Sequence, residues 1–339
     1  MSAQSWFNRI WYGTRTPPWW LMPWSQLFRG LMAVRRALYR RGWIASVRLR
    51  CPVIVVGNLS VGGTGKTPLV IWLAAQLRAR GLEPGIVTRG FGGSGGIARL
   101  IGGSDDPAIV GDEPVVLARR TGVRVAVGRD RPAAAQLLID AGCNVIVSDD
   151  GLQHYALARD CEIAVIDGAR RLGNGWLLPA GPLREPRSRL TEVDAVVING
   201  GAAVAPAISM HLAAERAISL SDGGTRPLTA FRGTAVHAIA GIGNPQRFFE
   251  MLRGQGIDVT PHPLDDHARI GAAEITFADR KAVLMTEKDA AKCAHWADTR
   301  HWVVPVDAAF AEGDSVKLLD IVANCLDRRR AANDEVKHG

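Results

Sequence analysis

Eight residues, Ser60, Val61, Gly62, Gly63, Thr64, Gly65, Lys66 and Thr67, stand between an apolar stretch at 53–57 (VIVVG) and a helix-patterned stretch at 70–77 (VIWLAAQL). A strand, a glycine-rich loop and a helix in that order commit this part of the chain to an α/β arrangement, and few other local sequences can cradle a nucleotide phosphate. Backbone N–H groups of such a loop point inward, Lys66 can reach the β- and γ-phosphates, the Thr67 hydroxyl can ligate Mg²⁺, and the following helix offers its positive end. A full Walker A pattern has glycine where Ser60 stands; that weakens the pattern without changing the mechanism. Pro68 is tolerated in the first helical turn, where its missing N–H has no partner to lose. A glycine-rich turn that binds nothing is the plainer reading, and the flanking strand and helix argue against it.

Downstream, β-type runs alternate with helical patterns, which suggests βαβ units and a mostly parallel sheet flanked by helices. Further strands are expected at 86–88, 123–127, 145–147, 163–166 and 195–198, with helices at 113–120 and 133–141 between them. Glycines at 92–96 and 102–103 mark a hairpin or lid. Near residue 206 the character changes: a long strand at 210–220 and a turn at 222–227 precede a second α/β set, with strands at 236–239, 283–285 and 302–306 and helices at 246–252, 289–296 and 315–329. The expected units are 1–44, 45–207, 208–230, 231–310 and 311–339, and no repeat at the 20–50 residue scale is visible.

The chain has 339 residues, 47% apolar and 22% charged, as expected of a well-cored protein with more than one domain. Its five cysteines are scattered and form no CxxC pair, so neither a disulfide framework nor a zinc site is suggested and a reducing cytoplasm fits best. The net charge of +8 is unevenly spread: residues 1–82 carry twelve Lys and Arg and no acid, leaving the rest of the chain net acidic. One positively charged end, rather than a basic surface all round, faces an anionic partner, and no nucleic-acid-binding signature follows.

Six of ten tryptophans lie in the first 43 residues, interleaved with seven arginines. On a helical projection of residues 24–41, Trp24, Leu27, Phe28, Leu31, Met32, Val34, Leu38 and Tyr39 fill one arc, with Arg35 intruding on it and expected to snorkel; Arg29, Arg36, Arg40 and Arg41 fill the other. The pattern is that of a basic amphipathic helix in a headgroup plane. No run of about 20 apolar residues exists to span a bilayer, and the features of a signal peptide are missing. The alternative is a helix that packs its apolar face on the protein's own core.

Residues 145–154 (VIVSDDGLQH) read as a buried strand ending in Asp149 and Asp150. In an open parallel sheet the carboxyl ends of strands face the ligand crevice, so Asp149 and the glycine loop should share it, with Asp149 on Mg²⁺; an Asp-Gly turn without a ligand is the alternative. Asp112 and Glu113 precede a helical run and either cap it or supply a carboxylate that accepts a proton from an alcohol. His267 is either structural or a sharer of that proton. Arg184, in a Pro/Gly loop, and Arg89, ending a strand, either meet phosphate or are solvated.

Taken together, SVGGTGKTP at 60–68, TRGFGG at 88–93, GDEP at 111–114, DDGLQH at 149–154, LLPAGPLREP at 177–186, DDH at 265–267 and MTEKDAAK at 285–292 resemble the tetraacyldisaccharide 4'-kinase family, in its order and over nearly the whole chain. The family's usual tyrosine is replaced by Phe91. The resemblance implies a P-loop α/β lobe and a smaller α/β lobe joined by a β-ribbon hinge. It implies transfer of the γ-phosphate of ATP, with Mg²⁺, to the 4'-hydroxyl of an acylated glucosamine disaccharide 1-phosphate, giving lipid IVA, at the cytoplasmic face of the inner membrane. Asp112 would take the hydroxyl proton with His267 as partner, Lys66 and Arg184 would neutralise phosphate charge, and Thr67, Glu113 and Asp149 would serve the metal. Asp150 would belong to the catalytic set, and Arg89 and His154 would contact substrate. The anionic inner-membrane surface is the implied partner, with no nucleic acid and no obligate protein. A membrane-associating ATPase switch is the best rival from another class, but it carries lysine where this chain has Val61. A GTPase would need N-K-x-D order, which residues 286–289 (TEKD) do not have.

Overall fold

The computed structural model describes residues 3–13, 16–90, 93, 96–201, 205–265, 268 and 270–338. Among these the helices are α1 (Ala3–Tyr12), α2 (Met22–Arg40), α3 (Lys66–Ala79), α4 (Pro107–Val110), α5 (Asp112–Thr121), α6 (Arg131–Asp140), α7 (Pro245–Gly254), α8 (Ala272–Ile275), α9 (Glu287–Cys293) and α10 (Asp314–His338). The strands are β1 (Val53–Gly57), β2 (Pro84–Thr88), β3 (Arg99–Ile101), β4 (Arg124–Val127), β5 (Val145–Asp149), β6 (Cys161–Asp167), β7 (Ala195–Asn199), β8 (Ile208–Ala213), β9 (Arg216–Ser219), β10 (Thr225–Pro227), β11 (Ala235–Ala240), β12 (Asp258–Pro263), β13 (Val283–Met285), β14 (His301–Val303) and β15 (Asp307–Phe310).

Two sheets result. The larger runs β15-β8-β7-β6-β1-β5-β2-β4-β3, parallel from β8 to β4, with antiparallel β15 and β3 at its edges. β1 lies between β5 and β6 and is buried along its length because side chains leave it to both covered faces. Ile54 and Val56 pack in the core with Leu69, Leu73 and Leu77 of α3 and Leu318 and Val322 of α10, while Val53 and Val55 pack with Ala134 and Leu138 of α6. This double cover is why the strands read as near-continuous apolar runs.

The smaller sheet runs β10-β9-β14-β13-β11-β12. Phe248, Phe249 and Leu252 of α7 fill one face and Cys293 of α9 with Ile275 of α8 the other. The single strand expected at 210–220 is two strands in different sheets: β8 pairs with β15 in the larger, β9 with β14 in the smaller. The strand expected at 302–306 likewise ends at Val303, because the chain there leaves one sheet for the other. Two antiparallel crossings therefore connect the sheets. β12 carries Pro261 and Pro263, which signal against a strand; it is an edge, pairing with β11 alone, so the missing N–H groups cost no ladder on the open side.

α2 divides the arc read from the sequence. Ser25, 2% exposed, donates its hydroxyl to Leu177 O at 2.8 Å, and Phe28 packs on the α6 side of the core. Arg35 does not snorkel outward: it donates to Gln153 O at 3.1 Å and lies 5.7 Å from the ring centres of Tyr39 and Tyr155. Arg36 pairs with Glu192. Turned away from the protein are Trp24, Leu27, Leu31 and Val34, exposed by 61, 53, 60 and 59%. The helix is held by its mixed polar side, and an apolar stripe three and four residues apart is left facing out. No described helix is long and apolar enough to cross a membrane.

Candidate active site

The register of β1 brings the site together. Val56 is the pairing partner of Asp149 on β5, so the loop leaving Gly57 starts beside the acids that end β5. Gly65 has φ +90°, and a Cβ there would come within 2.1 Å of Asn199 Nδ2, so only glycine fits. Asn199 ends β7 and donates that Nδ2 to Thr64 O at 2.8 Å. Asn58 Nδ2 donates to Gly62 O at 3.3 Å, the Val61 N–H to Pro182 O at 2.9 Å, and the Tyr12 hydroxyl to Val61 O at 3.2 Å. Ser60 bridges to Leu183. Gly62 and Gly63 remain exposed, and Lys66 and Thr67 open α3, half-buried. The loop is thus clamped from outside with its inner side open.

Asp150 has φ +50° and anchors two cations: Arg184 meets it twice, at 2.8 and 3.1 Å, and Lys66 Nζ lies at 3.4 Å. Burial alone would raise its pKa, but Lys66, Arg184 and Arg131 hold it well below the usual carboxylate range. Arg184 also donates to Asn58 O at 3.0 Å and to the Asn58 side chain. Asp149, 1% exposed, is pushed up to about 7 by burial, then by Glu113, with Lys66 opposing. Its Oδ1 is buried without a hydrogen-bond partner, as is Thr64 Oγ1. An orphaned carboxylate oxygen at the end of β5, with the Glu113 carboxylate near enough to act on it and Thr67 in the first turn of α3, offers hard oxygen donors of the kind that suit Mg²⁺.

Asp112, 4% exposed, opens α5, and its Oδ1 accepts from the Glu113 N–H at 3.0 Å. The second lobe reaches both acids through α9: Lys292 Nζ lies 3.3 Å from Asp112 Oδ2, and Lys288 pairs with Glu113. Asp289, fully buried, anchors α9 by accepting from Gly241 N at 2.9 Å and from the Thr286 hydroxyl at 2.6 Å. Arg120 to Glu287 at 2.6 Å and Arg247 to Asn199 Oδ1 at 2.7 Å tie the lobes further.

Lys66, Arg184, Asp149, Asp150 and Glu113 thus form one linked set of charges, and Asp112 adjoins it through Glu113. His154 is half-buried; burial, then Arg131, Arg159, Arg35 and Arg89, push it down to about 4, so it is neutral near pH 7. Arg89 is exposed at the end of β2, close enough to act on His154 and on Arg131. His267 and Phe91 lie outside the described residues.

Sequence reasoning missed Asn58, Arg131 and Asn199 and gave Lys288 and Lys292 no role. Asn199 was within reach, because the ends of parallel strands are where ligands sit. Arg131, 3% exposed and donating to Ser148 Oγ at 2.9 Å, reads in the chain as one surface arginine among many.

A sequence profile described as tetraacyldisaccharide-1-P 4'-kinase matches residues 17–324. The chain is 54% identical over 307 residues to the tetraacyldisaccharide 4'-kinase of Alkalilimnicola ehrlichii, covering 87% of this chain and 90% of that one. It is 52% identical over 310 residues to that of Azoarcus sp. strain BH72, covering 88 and 90%. The crystal structure of LpxK from Aquifex aeolicus in complex with ATP superimposes with a TM-score of 0.76 at 27% identity, covering 90% of this chain and 98% of that one.

Proposed function

The chain belongs to the tetraacyldisaccharide-1-P 4'-kinase family, and on that premise we propose that its cleft moves the γ-phosphate of ATP to the 4'-hydroxyl of a tetraacylated disaccharide 1-phosphate, in lipid A biosynthesis, while α2 rests on an anionic membrane surface. The enzyme is a P-loop kinase that binds ATP. The observation that carries the assignment is the cluster of Lys66, Arg184, Asp149 and Asp150 at the end of β5, with Glu113 close enough to act on Asp149 and Asp112 beside it at the start of α5.

The work of the chain is positioning and charge placement. Backbone N–H groups of 62–67 and the positive end of α3 hold phosphate oxygens. Asp150 keeps the Lys66 ammonium and the Arg184 fork side by side, so both cations are fixed before phosphate charge develops, which is how preorganised electrostatics lower a barrier. Thr67, Glu113 and Asp149 would hold Mg²⁺, which would supply positive charge to offset that of the phosphates. Asp112 takes the proton of the acceptor hydroxyl on a carboxylate oxygen, with Lys292 at 3.3 Å steadying its orientation. His267 is its proposed partner, and Arg89 and His154 contact the sugar, His154 as a neutral hydrogen-bonding group.

A nucleotide lobe at 45–207 and a smaller lobe at 231–310 move about the ribbon at 208–230, with 1–44 as the membrane segment and 311–339 as the terminal helix. Reach of α9 to Asp112 and Glu113 supports closure over the nucleotide. The outward stripe of α2 and the basic N-terminal end support a peripheral position at the cytoplasmic face of the inner membrane. Incubation with radiolabelled ATP and acylated disaccharide 1-phosphates should put label in lipid; label found only in inorganic phosphate would overturn the assignment.

A further inference from the structure

The cysteines form no motif in the sequence, yet folding brings two of them together. Cys161 opens β6 and Cys325 lies on α10, both buried in the core that Leu318, Val322 and Leu326 share. Asp194, exposed just before β7, completes the group: one donor atom from each of the three lies within 4.8 Å of the others. Among the described residues no other three His, Cys, Asp or Glu side chains gather their donor atoms so closely. The Asp194 N–H donates to Glu162 O at 3.0 Å, and Asp194 Oδ2 accepts from the Glu162 N–H at 2.9 Å. This carboxylate is therefore fixed beside Cys161, with Oδ1 left for another partner. That partner is a cation. Arg328 Nη2 donates to Asp194 Oδ1 at 2.9 Å and to Cys325 Sγ at 3.0 Å, so one positive nitrogen bridges two of the three donor residues. The Arg328 side chain is 68% exposed and is free to swing into solvent.

We propose that Cys161, Cys325 and Asp194 bind a thiophilic divalent metal ion of the zinc kind, with Arg328 moving to the rim. In a tetrahedral zinc site sulfur lies about 2.3 Å from the metal, which puts ligand atoms about 3.8 Å apart, a spacing within the reach of this cluster. Two thiolates and one carboxylate around a dication leave one negative charge, which the displaced guanidinium offsets, and the thiol protons pass to solvent. The hydrogen bond from Cys161, opposed by burial and aided by Arg328, holds the Cys325 thiol below its ordinary range and so favours the thiolate a metal needs. Other acids nearby are engaged elsewhere: Asp160 with Arg48, Arg329 and the Val53 N–H, and the Glu162 side chain with Arg159 and Arg189. Two sulfurs and one oxygen select zinc over magnesium, whose donors are all oxygens. A disulfide would need an oxidant and would leave Asp194 and Arg328 without a part. The site is separate from the kinase cleft. Cys161 pairs with Ile54 near the start of β1, whereas the phosphate loop leaves β1 at its other end. The ion would pin α10 to the amino ends of β6 and β7.

The test takes the full-length protein, reduced and stripped of metal by a chelator, and titrates it with Co²⁺ as a spectroscopic probe and then with Zn²⁺. Co²⁺ should give a sulfur-to-metal charge-transfer band, which an ion on the oxygen donors of the kinase cleft does not produce. Zn²⁺ should abolish the band and raise the melting temperature by mass action. Cys325→Ser should lose the band and Cys143→Ser should keep it. Arg328→Gln, a change at an exposed side chain that leaves the fold intact, should tighten Co²⁺ binding severalfold by removing the competing cation. No band in the wild-type protein, a band that survives Cys325→Ser, or Co²⁺ affinity unchanged or weakened in Arg328→Gln would each overturn the proposal. A disulfide between Cys161 and Cys325, found by mass spectrometry with no cobalt band, would overturn it in favour of a redox pair.

Discussion

Replacing Leu27 and Leu31 with glutamine tests whether the outward face of α2 meets a bilayer. Fully burying a leucine contributes about 1.5–3 kcal/mol. The two residues expose 53 and 60% of their surface, so together they add about 2–3 kcal/mol of transfer free energy, a factor of roughly 30 to 150 in partitioning. Neither side chain is needed for docking of the helix, which relies on Ser25, Phe28, Arg35 and Arg36. Glutamine is a good helix former, so folding stability should stay within about 0.5 kcal/mol of wild type. The assay is sedimentation with phosphatidylglycerol-containing vesicles over a range of lipid concentrations, at low and moderate salt. Half-binding should move to higher lipid by the stated factor at both salts, because arginine attraction is screened by salt and apolar burial is not. A shift smaller than about threefold, with melting unchanged, would refute the idea that this stripe enters the interface.

Lys66→Ala should abolish phosphate transfer while circular dichroism stays native, and turnover near wild type would defeat the role given to the loop. Asp112→Asn should lower kcat by roughly 10²–10⁴ with nucleotide binding retained; an effect confined to ATP affinity would point to a nucleotide role instead. His154→Gln addresses stability in acid. The pKa of His154 in the fold is about 4 against an ordinary 6.5, so the unfolded chain binds more protons between those values and stability falls as pH drops from 6.5 towards 4. The variant lacks this increment, so its urea midpoint should fall less than that of wild type between pH of about 7.5 and 4.5; equal falls would contradict a buried, neutral imidazole.

Much of the site was legible because its chemistry is local. The glycine loop, its lysine and the paired acids at 149–150 are contiguous runs, each set by a rule that acts over a few residues: strand before, helix after, left-handed backbone at Gly65, carboxylates at the end of a buried strand. The alternation of strand and helix followed from hydrophobic period, and the sheet buried on both faces explains why its strands looked uniformly apolar.

What sequence determined by itself, then, is that a phosphate-binding strand–loop–helix exists, that acids lie beside it, and that the N-terminal end is basic and amphipathic. Only tertiary structure decided which side of α2 faces out, since a helical projection cannot say whether Arg35 and Phe28 or Leu27 and Leu31 will find partners in loops over a hundred residues away. It also decided that Asn199 and Asn58 prop the phosphate loop, that Lys288 and Lys292 cross from one lobe to the acids of the other, and that proline-bearing β12 survives as an edge strand. Each of these depends on contacts between residues distant in the chain, and nothing in the local propensity of a lysine, an asparagine or a proline records where the rest of the fold will bring its partner.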